Sequence, residues 1–107
     1  MRHELVLAPS AVRELRDLPA HVRSEVRDAL ERHLRFEPTG VSRSRIKRLR
    51  GLSRPQYRLR VGDIRVFYDV TQSTVSILAI ITKQQAANWL AAAGLRTEEG
   101  PSGQNEG

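Results

Sequence analysis

Nine cationic side chains fall within the 23 positions from Arg43 to Arg65, and three of them could set a chemistry. The stretch Tyr57-Arg58-Leu59-Arg60-Val61 alternates with a period of two. As a strand it turns Tyr57, Leu59 and Val61 to one face and Arg58 and Arg60 to the other. Gly62-Asp63 has the makings of a two-residue hairpin turn. The returning strand, Ile64 to Val70, places Ile64, Val66, Tyr68 and Val70 on the apolar face and Arg65, Phe67 and Asp69 opposite. Arg58, Arg60 and Arg65 are thus predicted to share one sheet face, where three guanidinium groups repel one another unless an anion lies between them. Arg grips phosphate through a planar, permanently charged fork. Arg43, Arg45, Lys47, Arg48, Arg50 and Arg54 extend the positive field, and we read them as contacts to an RNA backbone, whose phosphates dominate affinity. Lys83 stands where an apolar strand gives way to a helix, adding a cation and the helix's first amides at the rim of the face.

Other chemistries find little support. The chain has no cysteine, which excludes a disulfide scaffold, a thiolate metal site and a Cys nucleophile. His3, His21 and His33 are read as structural or surface residues, because His21 and His33 lie 12 positions apart and His33 falls on an apolar helix stripe. Asp63 belongs to the turn and Asp69 is expected to pair with an arginine. No P-loop, dinucleotide fingerprint, nucleophile elbow or metal motif is present, so neither metal nor cofactor is expected. Trp89 is read as packing a C-terminal helix onto the sheet, with stacking on a base as the alternative. Protection of an edge strand against aggregation also places Arg on strands, but it does not call for nine cations in 23 positions.

The elements that position these residues can be read from the rest of the chain. Its 107 residues suit a single domain. No apolar run approaches the ~20 residues of a bilayer span, so no membrane association is expected. The N-terminus lacks a signal-peptide pattern, and with the absent cysteines this suggests a cytoplasmic protein. Residues 1–37 balance seven Arg against seven acids, whereas residues 38–83 carry ten cations against Asp63 and Asp69. The net charge of +6 is therefore a property of one segment, which favours a binding surface over a merely solvated one. Residues 2–8 read as a strand, and Pro9 to Leu18 as a helix with Val12, Leu15 and Leu18 at helical spacing. A second helix opens at Pro19, its stripe formed by Val22, Val26, Ala29, Leu30, His33 and Leu34. Residues 45–49 form a short strand candidate. Thr74–Thr82, apolar on both faces, belongs inside the sheet. Lys83–Ala93 reads as a helix stopped by Gly94. The predicted domain spans 1–94, and 95–107 form an acidic tail expected to be disordered. The fold class is α+β: an N-terminal helical hairpin packed on a small twisted antiparallel sheet, with a short C-terminal helix.

The combination Ile46-Lys47-Arg48-Leu49-Arg50-Gly51-Leu52 followed by Tyr57-Arg58-Leu59-Arg60-Val61-Gly62-Asp63-Ile64-Arg65 resembles the RelE/ParE superfamily of bacterial type II toxins. The resemblance runs over about residues 3–94. It implies the RelE-like fold and a cognate antitoxin that wraps the toxin in a hetero-oligomer. RelE-like members are ribosome-dependent endoribonucleases that cut mRNA, whereas ParE-like members share the fold and poison DNA gyrase. In the RelE-type reaction the ribose 2′-OH attacks the adjacent phosphate. The reaction needs a base at that hydroxyl, cationic stabilisation of the phosphorane and an acid at the leaving 5′-oxygen. By the resemblance, Arg58 and Arg60 look like the family's basic pair and Arg65 like its phosphate-stabilising arginine, and Lys83 lies close to its basic residue after the last strand. These four are the predicted catalytic residues. The segment Lys83–Trp89 holds neither the Tyr nor the His that other members place there.

Overall fold

The structure of the chain, a computed structural model, describes residues 2–51 and 54–98. Five strands form one sheet: β1 (Glu4–Leu7), β2 (Ile46–Arg48), β3 (Tyr57–Val61), β4 (Ile64–Val70) and β5 (Thr74–Thr82). Their spatial order is β1-β5-β4-β3-β2. Between β1 and β2 lie α1 (Pro9–Arg16) and α2 (Ala20–Ala29), the latter continued by a π-helical turn, Leu30–Leu34. This hairpin carries the chain from one edge of the sheet to the other and so covers a whole face. Pro9 stands in the first turn of α1, where its missing N–H costs nothing. Pro19 stands as the N-cap of α2. The Arg23 Nη1 donates to the carbonyls of Arg16 (2.8 Å) and Leu18 (3.2 Å), satisfying the free end of α1.

The apolar sets predicted from alternation are found on the hairpin side. Tyr57, Leu59, Ile64, Val66 and Tyr68 join Ala11, Leu15, Val26, Leu30 and Leu34 in the main core. Tyr68 is fully buried, and its hydroxyl donates to the Pro38 carbonyl at 2.7 Å. Burial pushes its phenol well above the ordinary pKa. Gly62 supplies the positive φ (57°) of the β3–β4 turn.

Two expectations are corrected. The sheet is mixed rather than wholly antiparallel, because β1 pairs in parallel with β5. Strands this far apart in sequence are joined by no turn, so their relative direction follows from the packing of the hairpin. β5 lies inside the sheet, between β1 and β4, as expected, and a register shift there pairs Phe67 with Ala79 but Tyr68 with Ile77, leaving Leu78 as a bulge. Val75, Ile77 and Ile80 therefore face the hairpin, while Ala79 and Ile81 face the other way. The second correction concerns the final helix: α3 (Lys83–Glu98) runs through Gly94. One glycine is a weak stop beside five alanines, since it costs only about 1 kcal/mol relative to Ala. The expected tail overlaps α3 at 95–98, and its remainder lies outside the described residues.

The outer edge of β5 is finished by side chains. The Ala8 N–H reaches the Ile77 carbonyl (2.9 Å) where β1 ends. Beyond it the Ile80 N–H donates to Glu14 Oε1 of α1 (2.9 Å), and the Thr82 N–H donates to Gln85 Oε1 (3.0 Å). Desolvation raises the Glu14 pKa, with the Ile80 hydrogen bond and Arg13 acting against it. Among the described residues no helix is long and apolar enough to cross a membrane.

Candidate phosphate-binding face

The face opposite the hairpin is organised in rows set by strand register. In one row Lys47 of β2 is paired with Arg58 of β3, and Arg58 with Phe67 of β4, which is paired with Ala79 of β5. In the next row Arg60 stands directly across from Arg65, which is paired with Ile81. Like charges directly opposite each other destabilise a sheet, so this row needs a reason other than stability.

The three arginines differ sharply. Arg60 is exposed, and neither it nor Lys47 makes a side-chain hydrogen bond or ion pair within the described residues. Arg58 is half-buried, and its Nε–H is buried without a hydrogen-bond partner. Desolvation, then the charges of Arg65 and Arg60, hold its guanidinium below the ordinary pKa. Arg65 is buried, at 9% exposure, and its Nη1 donates to the carbonyls of Gly62 (2.9 Å) and Ile64 (3.1 Å). It braces the hairpin turn while contributing its charge to Arg58. Lys83 is exposed, and its backbone N–H donates to the Asp63 carbonyl (2.9 Å), which ties the start of α3 to the same turn. The turn end of the face thus gathers Arg60, Arg65 and Lys83, with Arg58 one row further in.

The six predicted RNA contacts do not form one patch with these four. Lys47 shares their face. Arg48 lies over the Tyr57 ring, 5.1 Å from its centroid, and its Nη1 donates to the Tyr57 hydroxyl at 3.1 Å, on the hairpin side of the edge strand. Arg45 also turns to the helices, donating from Nη1 to His33 Nε2 at 3.0 Å. Arg has no acceptor, so this contact requires His33 to carry its proton on Nδ1. Burial, Arg45 and Arg32 lower the His33 pKa, and Asp28 opposes them. Arg54 is bound to Asp69, Nε to Oδ2 at 2.8 Å, which is the pairing expected for that aspartate. Arg43 and Arg50 are exposed. A cavity of about 300 Å³ lined by Arg2, His3, Glu4, Arg35 and Ser73 contains none of the predicted site residues.

The face is also less open than alternation implies, because α3 packs on it. Phe67, Ala79 and Ile81 are buried there against Ala86, Trp89 and Leu90. The Phe67 and Trp89 rings stack at 5.0 Å and 13°. The sequence held one unused signal for this arrangement. Thr82-x-x-Gln85 is a capping box, and both of its hydrogen bonds form: Thr82 N–H to Gln85 Oε1 (3.0 Å) and Gln85 N–H to Thr82 Oγ1 (3.3 Å).

Comparison with known proteins bears on this geometry. The family model for the ParE toxin of type II toxin–antitoxin systems, parDE, matches residues 5–87. The chain belongs to the ParE toxin family. The search of curated proteins found no match. Among solved structures, the RelBE2 toxin–antitoxin complex of Mycobacterium tuberculosis is 25% identical with a TM-score of 0.67, covering 78% of this chain and 100% of the other. The archaeal RelE–RelB complex of Pyrococcus horikoshii is 28% identical with a TM-score of 0.58, covering 78% and 97%. A mutant of the E. coli toxin RelE in the free state is 20% identical with a TM-score of 0.66, covering 90% and 97%. The RelE-like α+β fold inferred for this ParE-family chain is thereby shown.

Proposed function

We propose that this ParE-family chain is a ribosome-dependent endoribonuclease toxin that cleaves mRNA and so arrests translation and growth in the cytoplasm. A cognate antitoxin would hold it inactive in a hetero-oligomer, as the toxin–antitoxin complexes among its structural relatives suggest. The observation that carries the reading is Arg58: a half-buried guanidinium with an unpartnered Nε–H, flanked by Lys47 and facing the charges of Arg60 and Arg65. Such a group is costly to keep unless an anion completes it. A phosphodiester seated there meets Arg58, Arg60 and Lys83, while buried Arg65 adds its field. Together these cations stabilise the negative charge that gathers on the non-bridging oxygens of the phosphorane as the 2′-oxygen attacks, its proton released to water. The ribosome supplies substrate orientation. The full chain added to in vitro translation should generate new 3′ ends within the message. Intact message on translating ribosomes counts against the reading.

A second reading is inhibition of DNA gyrase. It is favoured by the parDE family match and by a Lys83–Trp89 segment with neither Tyr nor His to move a proton. It requires cleaved plasmid DNA to accumulate when the chain is incubated with gyrase and ATP, and it fails if none does.

A further inference from the structure

Phe67 is the direct cross-strand neighbour of Arg58. An aromatic ring beside a partly desolvated guanidinium suits a nucleotide, with the base on the ring and the phosphate on the cation. Here the ring is already taken: the Trp89 indole lies parallel to it, centroids 5.0 Å apart at 13°. A flat bicyclic π-system of purine-like size occupies the place a base would occupy.

Among the described residues, the helix that brings this indole packs on a small cluster. Its inward residues, Ala86, Trp89, Leu90 and Ala93, follow the i, i+3, i+4, i+7 stripe, yet two of the four are alanine. Beneath them lie three buried residues, against fourteen in the core on the hairpin face. The start of α3 is secured separately, by the Thr82–Gln85 capping box and by the Lys83 N–H on the Asp63 carbonyl. A tilt of the helix about Thr82 would leave these hydrogen bonds in place.

We propose that Phe67 is a nucleobase-stacking platform adjoining the phosphate cluster, and that Trp89 is a resident plug displaced by the incoming base. The site takes a single-stranded ribonucleotide, base on Phe67 and phosphate on Arg58. This inference deepens the RNA reading and rests on it.

Trp89 is the chain's single tryptophan, so intrinsic fluorescence reports the plug alone. The full chain is titrated at low salt with an end-labelled single-stranded RNA hexamer, and separately with an abasic ribose-phosphate hexamer of equal length. Anisotropy reads binding and indole emission reads the plug. Both oligomers should bind, the RNA about tenfold more tightly, and only the RNA should shift indole emission to the red. Phe67→Leu, which keeps an apolar side chain, should bring RNA affinity down to the abasic level. Trp89→Leu should tighten RNA binding. If both oligomers bind wild type equally and emission does not move, the platform is refuted while the phosphate site stands. If neither binds, the phosphate site on Arg58 falls and takes the platform with it, while the RNA reading is decided separately by the in vitro translation assay. The wild-type comparison needs no substitution, so a variant that misfolds does not blunt the test.

Discussion

The two faces of the sheet are built from the same strands and are stabilised very differently. On the hairpin side α1, α2 and the π-helical turn enclose an apolar core that runs across all five strands. On the α3 side a small aromatic cluster adjoins Lys47, Arg58, Arg60 and Arg65. Burial of apolar area is the main source of folding stability, so the first face supplies most of it. The second gives some up, because unpaired cations stand where a sheet ordinarily sets neutral or opposite-charge pairs. Stability spent against local preference marks a functional surface. On the proposed reading, binding chemistry and folding stability are separated by the thickness of one sheet, and substitutions on the two faces should sort accordingly.

The largest loss of stability is expected from Leu59→Ala, at a fully buried site on the hairpin face: about 3 kcal/mol by urea unfolding. Tyr68→Phe comes next, since it leaves the buried Pro38 carbonyl without its donor, at about 1.5 kcal/mol. Leu90→Ala, at a half-buried position on the inward side of α3, should cost about 1 kcal/mol. If it costs as much as Leu59→Ala, α3 is an integral part of the core and the contrast between the faces is lost. Arg60→Ala sharpens the contrast from the other side. Unfolding should change by less than about 0.5 kcal/mol, because Arg60 is exposed and unpartnered. Growth arrest on induced expression should nevertheless weaken by about tenfold or more. Full toxicity in a folded Arg60→Ala protein removes Arg60 from the phosphate site. Arg65→Ala is a less clean probe, since it also strips a donor from two carbonyls of the turn.

The smallest effect is one of pH. The His33 pKa is lowered by burial, Arg45 and Arg32. A lowered folded-state value means that the stability from neutral His33 is present above the ordinary histidine pKa of about 6.5. That stability is lost as pH falls through the folded value. The melting temperature should therefore decline slightly on acidification from pH 7.5 to 5.5, and less so in His33→Gln. An equal decline in both proteins shows that the His33–Arg45 contact does not contribute.

Much of this arrangement was legible in the sequence. Strict alternation in Tyr57–Val61 and Ile64–Val70, with Gly62-Asp63 between them, specifies a hairpin, its register and the sides taken by Arg58, Arg60 and Arg65. That is local information, because side-chain direction in a strand depends only on parity. Pro9 and Pro19 likewise mark helix starts through the one φ angle proline allows. Charge counting confined the positive field to residues 38–83.

Tertiary structure decided what parity cannot reach. The parallel pairing of β1 with β5 joins residues some seventy positions apart, and the bulge at Leu78 reverses parity within an unbroken apolar run, Ile77 to Ile81. The fates of the cations were decided in the same way. Arg45 and Arg48 find His33 and Tyr57 on the hairpin side, Arg54 finds Asp69, and Arg65 is buried over its own turn. Among these cations, and within the described residues, Arg58 is the one left with a buried, unpartnered N–H, beside a ring already covered by Trp89. The sequence alone determined how many charges there are and which strand face each leaves from. Which of them are neutralised, buried or left waiting depends on partners that only the folded chain brings within hydrogen-bonding distance.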